Sequence, residues 1–95
     1  YTLVVLNTAP DEAWEISYCG WDASGADASS AIAIHQPNTD EKRISFEDQP
    51  TTTTAYLGES IPGDGTHVRV EDWDLGTTEP GSSGSPLFNQ DHQVI

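Results

Sequence analysis

Ser83 stands in the run Glu79-Pro80-Gly81-Ser82-Ser83-Gly84-Ser85-Pro86, crowded by glycine, serine and proline. A serine in such company suits a backbone-built oxyanion site. The attacking hydroxyl of an acyl-transfer site sits on a tight turn, and its own N–H, with another two residues upstream, points at the charge that develops. Gly81 holds that upstream position and can turn its N–H inward, having no side chain to clash. Ser83 is thus a candidate nucleophile, and Gly81 and Ser83 are candidate oxyanion donors. A Ser/Gly turn between strands is equally common, and the run taken alone supports both readings.

An active serine also needs a base within hydrogen-bond reach and an acid that orients it. The histidines present are His35, His67 and His92. They read more plainly as a strand end, an exposed strand face and a turn, which disfavours a triad within this chain. The Gly-x-Ser-x-Gly nucleophile elbow is disfavoured too, because the position two after Ser83 is Ser85 and the chain shows no βα alternation. Glu71, Asp72 and Asp74 lie close together and Asp64 sits in a glycine-flanked turn, an oxygen-rich set of the kind calcium takes. No EF-hand spacing accompanies them, so they read as a solvated acidic face. Cys19 and the scattered histidines give no zinc pattern. The expectation is no metal and no organic cofactor.

Sixteen acids against Lys42, Arg43 and Arg69 set the net charge at −13, which repels nucleic-acid phosphates and anionic membrane surfaces. Neither nucleic acid nor membrane is an expected partner. Charge this far from zero also suits a secreted or salt-adapted source. No run reaches the roughly eighteen apolar residues of a membrane span, and no signal peptide is visible. Cys19, the only cysteine, has no internal partner for a disulfide.

The elements that must position Ser83 read as strands. Thr2 to Leu6, Trp14 to Trp21, Ala31 to His35, Lys42 to Phe46, Thr51 to Leu57 and Thr66 to Trp73 are β-branched, apolar or alternating runs. Gln36-Pro37-Asn38 and Pro62-Gly63-Asp64-Gly65 mark turns between them. Leu87-Phe88 and Gln93-Val94-Ile95 form a last hairpin around Asn89 to His92, with Val94-Ile95 left as an open edge prone to aggregation. Short strands separated by turns, with no sustained helical period, predict an all-β barrel or sandwich. Ninety-five residues make one domain at most, and an apolar run directly after Tyr1 reads as a chain that begins inside a strand.

Several segments in order resemble the bacterial lysyl endopeptidase family of trypsin-like serine proteases. They are Tyr1 to Asn7, Gly20-Trp21-Asp22, Ala31-Ile32-Ala33-Ile34-His35-Gln36-Pro37 with Glu41 to Ser45, and Thr78 to Pro86. The family has His-His-Pro where this chain has His35-Gln36-Pro37. The resemblance implies an antiparallel β-barrel of the chymotrypsin type, here the incomplete second barrel over 1–95, with 1–7 as the last strand of the first. It implies a secreted or periplasmic endopeptidase that cleaves polypeptide after Lys, or Lys and Arg, with Ser83 as nucleophile. The triad Asp would stand just before residue 1 and the His further upstream in a first barrel, so the segment alone is expected to be inactive.

The resemblance also implies that Thr77 falls where trypsin itself carries an acid at the pocket base, and that Thr77 and Thr78 line that pocket wall. Tyr56 aligns with an aromatic bordering the pocket. A cross-strand or core role for Tyr56 is the plainer alternative. Other readings stay open. A glutamyl endopeptidase-like protease shares Gly-x-Ser-Gly-Ser-Pro, and a degenerate protease or acidic β-module would bind rather than cleave.

Overall fold

Alternation in Ala31-Ile32-Ala33-Ile34-His35 builds β1 (Ala31–His35), which the computed structural model pairs with β2 (Arg43–Glu47) as an antiparallel hairpin. Residues 4–58 and 65–95 are described. The register sets Ala31 opposite Glu47, Ala33 opposite Ser45 and His35 opposite Arg43. Directly opposed residues share a face of the sheet. One face therefore carries Ala31, Ala33, His35, Ser45 and Glu47, all buried, and the other carries Ile32, Ile34, Ile44 and Phe46. The covered face is the one with small and hydrogen-bonding side chains, because loop backbone lies directly on it. A Cβ at Gly76 would stand 2.5 Å from Ser45 Oγ and 3.1 Å from the Ile44 carbonyl oxygen.

The sheet order is β2-β1-β5, with β5 (Leu87–Phe88) pairing to Ala33 and Ile32. Its edges are extended by single bridges. Leu75 exchanges backbone bonds with Phe46 beyond β2, and Val94 bridges both Phe88 and Trp21 beyond β5. A second, two-stranded sheet pairs β3 (Thr52–Thr54) with β4 (His67–Arg69). It is tied to the segment before β1 by Thr51, whose N–H donates to the Ala28 carbonyl and whose hydroxyl accepts from the Ala28 N–H, both at 2.9 Å. The described residues thus form antiparallel sheets and no α-helix, in keeping with the all-β expectation, but they close no barrel.

Two expected strands are corrected. In the run Thr2 to Leu6 the first two residues lie outside the described set, and Val4 to Leu6 form no strand and are exposed. In the run Trp14 to Trp21 only Trp21 bridges a neighbour, while Glu12–Trp14 forms a 3₁₀ turn capped by Asp11. Both runs have strand composition, but among the described residues the first pairs with no strand and the second meets Val94 only at its end, and strand propensity mainly measures fit against a neighbour. The runs Thr51 to Leu57 and Thr66 to Trp73 shorten to β3 and β4. The open edge expected at Val94-Ile95 is paired: the Ile95 N–H donates to the Leu87 carbonyl at 3.0 Å.

Asn89 organises this last turn. It is 1% exposed, its Oδ1 accepts from the N–H groups of Asp91 (3.0 Å) and Gln93 (2.9 Å), and its Nδ2 donates to Asp22 at 3.4 Å. Asp22 is held below the usual carboxylate range, first by the Ser24 N–H and hydroxyl and then by Asn89. That contribution is present at neutral pH and fades as pH falls through the lowered value. Asn89→Leu leaves the part-buried N–H groups of Asp91 and Gln93 without their acceptor, and an equilibrium urea titration should show a loss of about 1–3 kcal/mol. An unchanged midpoint would mean that water replaces the amide freely.

Candidate active site

The serine-rich loop rests on the tip of the β1–β2 hairpin. Pro37–Thr39 forms a 3₁₀ turn there, with Asn38 at φ 53° and Thr39 at φ 57°. A β-branched residue in the left-handed region is strained, and the neighbouring Asn38 is anchored to the serine loop by its N–H, which donates to the Pro80 carbonyl at 2.7 Å. Gly81 (φ 103°) lies flat against this tip: a Cβ would come within 2.8 Å of the Thr39 nitrogen and 2.9 Å of the Gln36 carbonyl oxygen. Glycine is needed here for close approach of two backbones as well as for conformation.

Beyond Gly81 the loop is a pair of turns, Ser82 N–H donating to the Glu79 carbonyl (3.0 Å) and Ser85 N–H to the Ser82 carbonyl (3.1 Å). Ser82 points inward. Its hydroxyl meets His35 Nδ1 at 2.8 Å and accepts weakly from the Glu79 N–H at 3.3 Å. Ser83 is exposed, and among the described residues its hydroxyl and N–H make no hydrogen bond within the protein. The Gly81 N–H is likewise uncommitted. These are the atoms an acyl-transfer site would spend on substrate. Residues 83–87, with Val94 and Ile95, line a broad open groove of about 820 Å³ beside the hydroxyl.

None of the three histidines hydrogen-bonds to Ser83. His92 (φ 58°) closes the turn after β5, and His67 is exposed on β4 with its Nδ1 against the Thr66 hydroxyl at 2.7 Å. His35 is where sequence reasoning fell short. A plain strand end was expected, yet the ring is 2% exposed and bonded at both nitrogens, to Ser82 and, at 2.9 Å, to Ser45 Oγ. Its parity with Ala31 and Ala33 in the alternation is the signal that puts it on the covered face.

The model for the lysyl endopeptidase C-terminal domain matches residues 1–95. The chain belongs to this family. In this lysyl endopeptidase C-terminal domain the residues expected near a specificity pocket lie on two segments, Thr77 and Thr78 ahead of the serine loop and Tyr56 after β3. Thr77 adjoins the serine loop through its carbonyl, which accepts from Ser45 Oγ at 2.9 Å, and its hydroxyl donates to the Thr78 carbonyl at 3.4 Å. Both threonines are exposed. Tyr56 lies exposed in the 3₁₀ turn after β3, with its ring centroid 5.4 Å from that of His67 on β4.

The clustered acids Glu71, Asp72 and Asp74 are all exposed. Asp74 accepts from the Asp48 N–H at 2.8 Å, Asp72 from the Trp73 N–H at 2.9 Å, and Glu71 meets Arg69 at 3.4 Å. Asp64 lies outside the described residues. Among those described, no group of three or more His, Cys, Asp or Glu side chains is placed to hold a metal, and no helix is long and apolar enough to cross a membrane. The ion pairs Arg43–Glu41 (3.9 Å) and Arg69–Glu71 are solvent-accessible and contribute little, and the net charge of −13 remains after both arginines are counted. Melting temperature should therefore rise from low to molar salt, as the Debye length shrinks from about 10 Å at 0.1 M to about 3 Å. A flat calorimetric series would show that self-repulsion is no significant strain on the fold.

Proposed function

We propose that this domain supplies the nucleophile of a serine endopeptidase that cleaves polypeptide on the carboxyl side of lysine. Ser83 Oγ attacks the scissile carbonyl carbon, and the amides of Gly81 and Ser83 hold the oxyanion. A histidine, oriented by an aspartate, takes the hydroxyl proton and returns it to the leaving amine. His35 is bonded to Ser82 and Ser45, and neither His67 nor His92 hydrogen-bonds to Ser83, so the histidine and aspartate come from the first barrel of the parent protein. The reading makes this domain most of a second chymotrypsin-type barrel in a secreted or periplasmic enzyme. Isolated, the segment is expected to be inactive. Catalysis of this kind needs no metal or organic cofactor.

The observation that carries the reading is the uncommitted hydroxyl of Ser83 beside two uncommitted amides, on a loop otherwise fixed by hydrogen bonds, in a chain of the lysyl endopeptidase family. The groove beside Ser83 offers Leu87, Val94 and Ile95 as a wall for an extended substrate. The test uses the complete protein with peptide amides that differ only in Lys, Arg or Glu before the scissile bond, together with a fluorophosphonate probe mapped by mass spectrometry. Preference for Lys with labelling at Ser83 supports the proposal. Preference for Glu would make the enzyme a glutamyl endopeptidase, and absence of both turnover and labelling would leave a binding module.

A further inference from the structure

His35 sits in a directed chain of hydrogen bonds that ends beside the nucleophile. Ser45 Oγ lies 2.9 Å from the Thr77 carbonyl, which only accepts, so the single hydroxyl proton of Ser45 is spent there. Ser45 must then accept from His35 Nε2–H at 2.9 Å, which leaves Nδ1 as an acceptor for the Ser82 hydroxyl at 2.8 Å. The tautomer is assigned by this network. Every hydroxyl proton in it has one destination, from Ser82 through His35 and Ser45 to Thr77.

The chain joins separate pieces of backbone: β1 through His35, β2 through Ser45, the segment after Leu75 through Thr77, and the serine loop through Ser82. His35 and Ser45 are 2% and 1% exposed, so a missing partner leaves a buried polar atom unpaired. Gly76 (φ 90°) is packed so tightly over Ser45 that any side chain there would strike its hydroxyl. The peptide between Ser82 and Ser83 carries the Ser83 N–H. With the Ser82 carbonyl held by Ser85 and the Ser82 side chain held by His35, that peptide is gripped from both sides.

We propose that His35 is a positioning residue for the reaction: by anchoring Ser82 it fixes the Ser82–Ser83 peptide, and hence the aim of the Ser83 hydroxyl and of the oxyanion amides. The inference rests on Ser83 being the nucleophile. His35 exchanges no proton with substrate, and both of its nitrogens are committed to the scaffold. Because rate falls steeply with misplacement of reacting groups while ground-state binding does not, its loss should appear in kcat.

The test compares variants of the complete protein on one lysine amide, each rate normalised to the fraction titrated by the fluorophosphonate. Asn at position 35 carries its carbonyl oxygen to the place of Nδ1 and keeps an acceptor for Ser82; Gln reaches the place of Nε2 and does not. His35→Gln and Ser82→Ala should each lower kcat by about 10–100-fold, the scale of an ångström-sized misplacement, with KM moving far less. The double variant should be no slower than either single one, and His35→Asn should recover most of the loss. Unchanged kcat in Ser82→Ala, multiplied losses in the double variant, or equal losses in the Asn and Gln variants would overturn the proposal. Ser82→Ala removes only a half-buried oxygen and serves even where a His35 variant fails to accumulate. Ser83→Ala separates the two readings. If it keeps its activity, the nucleophile assignment fails; if it is inactive while Ser82→Ala is unimpaired, only the positioning role fails.

Discussion

Ser83→Ala in the complete protein should lower kcat on a lysine amide by about 10⁶-fold, the size of loss seen when the nucleophile of an acyl-transfer triad is removed. The melting temperature should not move. The Ser83 side chain is exposed and makes no hydrogen bond among the described residues, so truncation takes nothing from the fold; substitutions at such sites are usually within about ±0.5 kcal/mol of neutral. KM should also stay close to its wild-type value, since the hydroxyl acts on the carbonyl only as the new bond forms. The neighbouring Ser82 makes the useful contrast. Its hydroxyl is bonded to His35 and Glu79, so its loss should cost both stability and rate. A loss below about tenfold for Ser83→Ala would place the nucleophile elsewhere.

The part of the fold that bears on this serine was legible where pattern and turn chemistry agreed. Strand β1 has the bounds its alternation predicts, and Gln36-Pro37-Asn38 marks the tip that docks under the serine loop. Trp14 to Trp21 misled because aromatic and β-branched content describes a surface that fits against a neighbour. Among the described residues only Trp21 finds one. Gly81 was legible by type but not by cause: conformational freedom was evident, whereas the approach of Gln36 and Thr39 to within a Cβ radius was not. His35 was the larger gap. Its face followed from parity, but its partner lies 47 residues away, and no local pattern reports how two loops will dock. The network was also obscured because Ser45 and Ser82 are residues that turns and strand surfaces use everywhere.

The two glycines flanking the serines should respond unequally to the same change. Gly84→Ala puts a Cβ into open space at φ 83°, so its cost is left-handed strain alone, about 1–2 kcal/mol. Gly81→Ala carries similar strain at φ 103° and adds a collision with backbone on the hairpin tip, at 2.8 Å from the Thr39 nitrogen and 2.9 Å from the Gln36 oxygen. Neither atom is the free end of a side chain, so loop and hairpin must separate. Separation stretches the Asn38 N–H bond to the Pro80 carbonyl and draws Ser82 away from His35. Stability should fall by at least about 3 kcal/mol, in the range of severe overpacking, and kcat per titrated site by about 10²-fold, as for removal of one oxyanion donor. Paired urea titrations and burst-normalised rates for the two variants measure both effects. Equal losses would mean that the hairpin tip does not set the position of the serine loop. A Gly81→Ala enzyme that stays stable but slow would instead show that the loop can lift from the hairpin at little cost, with the aim of the amides bearing the whole effect.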